Sequence, residues 1–257
     1  MKNAFTIAGK ELRSYFVSPI AYVVLTGFLL LGGWFFFNLL ARFSFLLSIY
    51  SAMRNPEAQM RLNLNDFVIA PLLHNLSVVL VILVPVITMR SFAEEKRSGT
   101  YELLMTSPLS ITEIVAGKFL GALGFLIVML ALTGIYPIIL LAYGNPEIGV
   151  IAAGYLGLLL LAVAFLTVGL LTSSFTENQI IAAVSCLVLL LLLYVISWPA
   201  ETAGPVLGAV LKYVSLTEHF GEMVKGIVDT KELVYFGSVI LLALFLTQRS
   251  VESVRWR

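Results

Sequence analysis

The chain has 257 residues, of which 60% are hydrophobic and only 12% are charged. Charged residues make up about a quarter of a typical soluble domain, so this composition excludes a soluble protein and indicates an integral membrane protein. The net charge of +1 argues against a nucleic-acid partner, and the single cysteine, Cys186, excludes disulfides within the chain and cysteine-based metal sites.

The N-terminal segment, residues 3–16, is predicted to form an amphipathic helix. Its apolar residues recur every three to four positions and its polar residues fall largely elsewhere, which is typical of a helix that lies on a membrane surface. Ser18-Pro19 breaks this helix before the first long apolar run, Ile20–Leu40. That run is too long for the core of a cleaved signal peptide, and no small-x-small cleavage site follows it, so we expect a membrane span.

Five further apolar runs are long enough to cross a hydrocarbon layer of about 30 Å, which predicts an all-α integral membrane fold with six spans. Six spans place both termini on one side. Ten of the 16 Lys and Arg residues then fall on that side, and the positive-inside rule assigns it to the cytoplasm. The predicted spans are residues 20–40, 71–89, 119–143, 148–171, 180–198 and 233–247, within one transmembrane domain of residues 1–257.

The densest charge cluster of the chain is Thr88–Lys118, called the elbow below. The helix of the second span is expected to continue through Glu95 and to end at Gly99, a residue suited to the left-handed conformation after a helix end. Thr100 can cap a short crosswise helix that ends before Pro108, and Ser110–Glu113 forms a capping box that starts the next helix. The alternative is an ordinary solvated connection between two spans.

The segment from Pro199 to Glu232 on the predicted outer side contains a second capping box, Ser215–Glu218, followed by an amphipathic helix. This helix either seals the outer end of the bundle or serves as an exit-side gate or a docking surface for a periplasmic partner. The outer loop, residues 41–70, yields no structural assignment. The residues of the proposed gate or docking face are Phe220, Met223, Val224 and Ile227.

Small residues and prolines within the spans predict packing features. Gly117 and Gly121 form a small-xxx-small pattern that Gly124 extends, which we interpret as a helix-packing face. Pro85 and Pro137 lie inside spans and are expected to kink them.

Several kinds of site chemistry are missing from the sequence. The predicted spans contain no Asp, Glu, Lys or Arg, which disfavours a proton- or sodium-coupled transporter. His74 and His219 each stand alone in the sequence, so no metal site is expected. The glycines of Gly149–Gly154 have phosphate-loop spacing, but Tyr155 follows where lysine is required. No catalytic constellation is present, so the chain is not expected to be an enzyme, and energy would come from another polypeptide.

The elbow also carries a resemblance to a known family. The run Glu94-Glu95-Lys96-Arg97-Ser98-Gly99-Thr100-Tyr101-Glu102-Leu103-Leu104, with Thr106-Ser107-Pro108-Leu109-Ser110 after it, resembles the elbow of ABC-2 type permeases, the membrane subunits of ATP-binding-cassette transporters. The six spans, the N-terminal helix and the outer helix extend the resemblance over the whole chain. The C-terminal runs from Thr217 to Asp229 and from Arg255 to Arg257 are similar to a branch associated with gliding motility.

The resemblance implies that the short helix of the elbow is a coupling helix, which seats in a groove of a cytoplasmic ABC ATPase subunit. It further implies two permease subunits, identical or different, in a bacterial cytoplasmic membrane, with ATP and Mg bound by the ATPase and no cofactor in this chain. The expected polar contacts, turn and packing residues of this coupling site are Glu94, Glu95, Arg97, Gly99, Thr100, Tyr101, Glu102, Leu103 and Leu104.

Three functions remain open at this point. The first is the permease subunit of an ATP-driven exporter, and the second is a non-transporting complex that transmits ATPase motion to a periplasmic or auxiliary membrane partner in gliding or signalling. The third is a passive channel or membrane scaffold whose elbow binds nothing. The sequence gives no substrate for any of them.

Overall fold

The computed structural model describes residues 2–53, 62–106 and 109–254, and those residues form helices and no strand. Six helical stretches among them are long and apolar enough to cross a membrane, at Pro19–Ala52, Asn65–Arg97, Ile111–Tyr143, Ile148–Phe175, Gln179–Glu201 and Thr230–Ser253. The predicted all-α fold with six spans is therefore confirmed. The helices are α1 (Lys2–Val17), α2 (Pro19–Ala52), α3 (Ala70–Thr88), α4 (Ala93–Arg97), α5 (Thr100–Thr106), α6 (Ile111–Thr133), α7 (Ile135–Tyr143), α8 (Ile148–Phe175), α9 (Gln179–Val195), α10 (Pro205–Val214), α11 (Leu216–Val224) and α12 (Thr230–Val254).

The first and the sixth predicted spans end seven or more residues later in the structure than the apolar runs suggested. Helix α2 continues to Ala52, so residues 41–52 of the unassigned outer loop are helical. The same loop ends in a π-helical turn, Asn65–Ile69, that leads directly into α3. Helix α12 begins at Thr230 and ends at Val254, several residues beyond the predicted sixth span at each end. Polar residues near a span end do not stop a helix whose backbone hydrogen bonds are all internal.

Helix α8 lies at the centre of the bundle and packs against α3, α9, α11 and α12. Phe165 and Leu166 are fully buried. Close packing is possible because glycines replace side chains on this helix: a Cβ on Gly157 would lie 2.8 Å from the Cβ of Met223 in α11. Helices α2 and α9 are peripheral, and they expose large apolar side chains such as Trp34 and Leu192.

Helix α1 packs along the first half of α6 on the predicted glycine face. A Cβ on Gly117 would lie 2.6 Å from the Cβ of Ile7, and a Cβ on Gly121 would lie 2.5 Å from the Cβ of Glu11. Real Cβ atoms do not approach so closely, so only glycine permits this contact. The prediction that these glycines form a packing face is confirmed, and their partner is the N-terminal helix.

The two span prolines have different outcomes. Helix α3 runs through Pro85 to Thr88 without interruption. Pro137 lies just after a break at Gly134 that separates α6 from α7. Because proline has no N–H, the carbonyl of Thr133 lacks its usual helical donor, and the hydroxyl of Tyr155 in α8 donates to that oxygen at 3.0 Å instead.

Candidate functional site

The elbow begins where the second span is interrupted. Helix α3 ends at Thr88, and four residues of turn separate it from α4, so the expected continuous helix through Glu95 is wrong. A helix break leaves backbone groups without partners. The buried hydroxyl of Ser173, near the end of α8, is the hydrogen-bond partner of three such backbone groups. It donates to the carbonyl of Met89 at 3.1 Å, and it accepts from the N–H groups of Phe92 at 3.1 Å and Ala93 at 3.2 Å. One side chain of α8 therefore joins the two halves of the interrupted helix.

The turn between α4 and α5 agrees with the sequence prediction. Gly99 has a φ of 72°, the left-handed conformation that glycine adopts after a helix end. Helix α5 begins at Thr100 itself, one residue earlier than predicted, and the Thr100 hydroxyl lies 2.8 Å from the hydroxyl of Ser98. Lys96, in the last turn of α4, donates to the carbonyl of Ser174. Since Ser174 lies in the last turn of α8, this lysine offsets the negative end of the α8 dipole.

A buried ion cluster fastens the elbow to α1 and α6. The Lys118 ammonium donates to Glu11 at 3.0 Å and to Glu95 at 2.7 Å, and its side chain is only 2% exposed. It also lies 5.2 Å from the centre of the Phe92 ring. Lys118 was expected at the end of the charged elbow, just before the third span, and Glu95 was expected to contact the ATPase. Both are instead engaged within the chain, because the helix of the third span begins at Ile111 and α1 covers its first turns.

Tyr101 of α5 also faces inward. The side chain is 5% exposed, and its hydroxyl donates to the carbonyl of Val251 in α12 at 3.3 Å. Burial raises the pKa of Tyr101 to about 12, so the hydroxyl is protonated at neutral pH and remains a donor. This contact fixes the crosswise helix against the end of the sixth span.

The other described side chains of the predicted coupling site lie on the outside of the elbow. Glu94 is partly exposed and accepts two hydrogen bonds from Arg90, at 2.7 and 2.8 Å. The side chains of Leu103 and Leu104 and the residue Pro108 lie outside the described part of the structure. The exposed residues of the set are Arg97, Gly99, Thr100 and Glu102. Their contact with an ATPase remains a prediction.

The capping box at the start of α6 is confirmed: the Ser110 hydroxyl accepts from the backbone N–H of Glu113, and the Glu113 carboxylate accepts from the backbone N–H of Ser110. The second capping box is wrong. Ser215 precedes α11 but makes no cap bond, and its hydroxyl pairs instead with the hydroxyl of Thr217 at 2.8 Å.

The proposed docking face at the opposite end of the bundle is not a surface. Phe220, Met223 and Val224 are at most 2% exposed, because α11 lays this face on α8 beside its glycines. Only Ile227, which follows the helix, is exposed. The arrangement agrees with the alternative that this helix seals the end of the bundle. The sequence did not predict α10, which precedes α11 and exposes Val206.

His219 does not stand alone, contrary to the sequence interpretation. Its Nδ1 pairs with the carboxylate of Glu232 at the start of α12, and its Nε2 lies 2.9 Å from the carbonyl of Tyr213. A carbonyl only accepts, so Nε2 carries a hydrogen, and one further proton must lie between Nδ1 and the carboxylate. The imidazole stacks on the ring of Tyr235 at 3.7 Å. Among the described residues, no group of three or more His, Cys, Asp or Glu side chains is placed to hold a metal ion.

Both buried clusters were missed because each pairs residues that are distant in sequence. Glu11 and Lys118 are separated by 107 positions and His219 and Glu232 by 13. One signal was available: Lys118 directly follows Gly117 within the glycine face. A long charged side chain beside a close helix contact is driven toward a partner on the opposing helix.

The comparison with known families extends over almost the whole of this architecture. A family model described as ABC-2 family transporter protein matches residues 5–247, which includes most of α1, the first five spans, the elbow, the outer helices and most of α12. No curated protein matches the chain. The match covers far more than half of the sequence, and we conclude that the chain belongs to the ABC-2 family of transporter membrane proteins.

Proposed function

We propose that this chain is the permease subunit of an ATP-driven exporter, and that a separate cytoplasmic ABC ATPase, which binds ATP and Mg, acts on it through the elbow. Family membership already makes the chain a membrane component of an ABC transporter. The proposal adds the partner's docking site and the direction of transport. Its strongest support is the way in which the elbow is attached to the bundle.

Each part of the elbow is bonded to a different span. Ser173 joins its first half to α8, Lys118 joins Glu95 to α6, and Tyr101 joins α5 to α12. Helix α3 continues into it through the backbone. A partner that displaces the elbow would therefore move four spans together, which is the behaviour required of a rigid lever between an ATPase and a translocation path.

Among the described residues of the elbow, the exposed ones around the Gly99 turn and on α5 are polar. They include Arg97, Thr100 and Glu102, with Ser98 and Thr106 beside them. Helices α1 and α12 both end at the elbow side of the bundle, and most Lys and Arg residues belong to that side. We therefore assign the elbow and both termini to the cytoplasmic side of a bacterial inner membrane, with residues 1–257 as one transmembrane domain.

The exporter has more support than the non-transporting complex. That alternative relied on an apolar docking face at the outer helix, but Phe220, Met223 and Val224 are buried against α8. In the proposed dimer, the exposed apolar sides of α2 and α9 would face lipid or a second permease subunit. A translocation path along the interface between two permease subunits would need no buried charge within either chain.

Affinity purification of the chain from its native membranes in mild detergent, followed by mass spectrometry, tests the proposal. We expect an ABC ATPase to co-purify with the wild type and to be reduced about tenfold by Glu102→Arg, because this reverses a charge on the exposed face. Glu218→Arg makes the same charge change on an exposed residue at the opposite end, and the ATPase should be retained. Failure to recover any ATPase with the wild type would refute the coupling role.

The direction of transport requires a second measurement on the reconstituted complex. Inside-out vesicles that contain the permease and its ATPase should accumulate substrate when ATP is added outside. ATPase activity that responds only to an added periplasmic protein, with no accumulation, would favour the non-transporting complex instead.

A further inference from the structure

A cavity of about 60 Å³ lies at the bend between α1 and α2, next to the start of the elbow. Its walls come from α1, α2, the end of α3 and the turn that follows. By the same measure of volume, one water needs about 10–15 Å³, so the cavity can hold a group of several heavy atoms. It is only partly enclosed, so a longer molecule can extend out of it.

The cavity crosses the boundary between apolar and polar surface. Val24 and Val86, from the first two spans, and Phe125 from α6 form its apolar wall, whereas Ser14 and Arg90 belong to its polar wall. The first span begins and the second span ends at this level. Lipid phosphates and the attached head groups occupy the same depth in a bilayer, immediately outside the hydrocarbon.

The polar wall can bind a phosphate. The Arg90 guanidinium has five N–H donors, of which Nε and Nη2 bond Glu94 and Nη1 bonds the Ser18 hydroxyl at 3.2 Å. The Arg90 side chain is 34% exposed, so its remaining N–H groups can donate to a further partner. The hydroxyl of Tyr15 donates to the carbonyl of Ile87 at 3.3 Å and lies 3.4 Å from the Ser91 hydroxyl, so Arg90 is the main phosphate donor of this wall.

The charges around the cavity select among phosphate-bearing ligands. Glu11, Glu94 and Arg90 line the cavity. Arg90 pairs with Glu94, and Glu11 pairs with Lys118, which also pairs with Glu95. Two cations thus face three carboxylates in this set of described side chains. A purely anionic head group meets an excess of negative charge, whereas a zwitterion can place its ammonium near Glu11 or Glu94 and its phosphate near Arg90.

We propose that this cavity binds the head group of an amine-bearing zwitterionic phospholipid of the phosphatidylethanolamine type. The phosphate is held by Arg90, the ammonium faces Glu94 or Glu11, and an acyl chain leaves along Val24 and Val86. A lipid in this position bridges the N-terminal helix, the first span and the elbow. The proposal does not depend on the ATPase partner or on the direction of transport.

Native mass spectrometry of the purified full chain in detergent micelles tests the site. Dioleoyl phosphatidylethanolamine, dioleoyl phosphatidylglycerol and soluble glycerophosphoethanolamine are titrated separately. We expect the first bound molecule of phosphatidylethanolamine to have a Kd about tenfold lower than that of the first bound molecule of phosphatidylglycerol. One additional charge-assisted contact accounts for a factor of this size. The soluble head group should bind at least about tenfold more weakly than the lipid, because it lacks the buried acyl chain.

Two variants address the site independently. Arg90→Gln removes the phosphate contact, and Ser14→Trp fills the mouth of the cavity from an exposed position on α1. Each should weaken phosphatidylethanolamine binding about tenfold. Gly9→Trp is the matched control, since it adds the same ring to α1 where no heavy atom lies within 4 Å of the glycine's Cβ position, and binding should be unchanged.

Equal affinity for the two lipids would overturn the proposal, as would wild-type binding in Ser14→Trp. Tight binding of the soluble head group would replace a lipid site with a site for a free phosphate ester. Thermal melting of each variant shows whether it is folded. If Arg90→Gln is unfolded, Ser14→Trp decides the question.

Discussion

The buried ion cluster gives the sharpest stability prediction. Lys118→Met keeps the length of the side chain but removes its charge, so the carboxylates of Glu11 and Glu95 lose their common partner while both are only 16% exposed. Removal of one partner from a buried ion pair costs about 3–5 kcal/mol. The orphaned acidic pair would also repel itself across the junction between α1 and α4. We therefore expect a loss in this range, with α1 released from the elbow.

The magnitude can be converted to a melting temperature. One kcal/mol corresponds to about 2–4 °C for a chain of this size, so Lys118→Met should melt about 6–20 °C below the wild type. Glu94→Gln is the control, because it breaks an exposed pair with Arg90, which is worth at most about 1 kcal/mol. That variant should melt within about 4 °C of the wild type.

The chain contains its own reporter of unfolding. Cys186 is the single cysteine and is buried in α9, so a dye that fluoresces on reaction with a thiol reports global unfolding without any added label. The triple variant Glu11→Gln, Glu95→Gln, Lys118→Met removes all three charges and should recover most of the loss, because no buried charge is left unpaired. A Lys118→Met protein that melts within about 3 °C of the wild type, or a triple variant no more stable than the single one, would refute the reasoning.

Three further predictions concern other contacts. Ser173→Ala leaves three backbone groups of the helix break without their Ser173 partner and should cost about 1–3 kcal/mol. The Ser185 hydroxyl bonds only to its own helix, so Ser185→Ala should leave the melting temperature measured with the thiol dye unchanged. His219→Leu removes the buried partner of one Glu232 carboxylate oxygen and leaves only the exposed Lys231, 3.4 Å from the other oxygen. It should cost about 1–3 kcal/mol, part of which Glu232→Gln in the same chain should restore; no recovery in the double variant would contradict the pairing. Gly121→Val forces α1 away from α6 and should cost about 1–3 kcal/mol, together with faster proteolysis of the N-terminal helix; unchanged proteolysis would contradict that packing.

The spans and the local features of the elbow could be predicted because they depend on neighbouring residues. Long apolar runs locate membrane helices regardless of what they pack against. The left-handed Gly99 and the capping box at Ser110 follow from backbone sterics and from hydrogen bonds across three positions. Each of these agrees with the structure.

The partners of polar side chains could not be predicted, because they depend on which helices are adjacent. Ser173 was an unremarked residue at the end of an apolar span, yet it completes the hydrogen bonds of a helix break 80 positions away. Glu95 was assigned to an external partner because the elbow resembles the coupling region of ABC-2 type permeases. The structure turns it inward toward Lys118, which no pattern within the elbow indicates.

The second capping box failed for a related reason. A serine followed three positions later by glutamate is a valid pattern only if the serine hydroxyl is free to accept from the helix. In the structure Ser215 is buried and pairs with Thr217, whose hydroxyl in turn donates to the carbonyl of Tyr194 in α9. A tertiary contact has replaced the local one.

The described ion pairs all lie at the two ends of the bundle, in the Lys118 cluster and other pairs at the elbow side and around Glu232 at the opposite side. Between them the described helices meet mainly through apolar side chains and glycines, with a few neutral hydrogen bonds such as that from Tyr155 to the carbonyl of Thr133. Apolar surfaces in lipid gain little from one register over another, whereas a buried ion pair is satisfied in a single register. We infer that these clusters fix how the helices align rather than how strongly they associate. The triple variant Glu11→Gln, Glu95→Gln, Lys118→Met separates alignment from strength of association. If the variant regains the wild-type melting temperature while ATPase-coupled transport stays impaired, the cluster sets the alignment of the helices. Full recovery of both the melting temperature and transport would exclude that role.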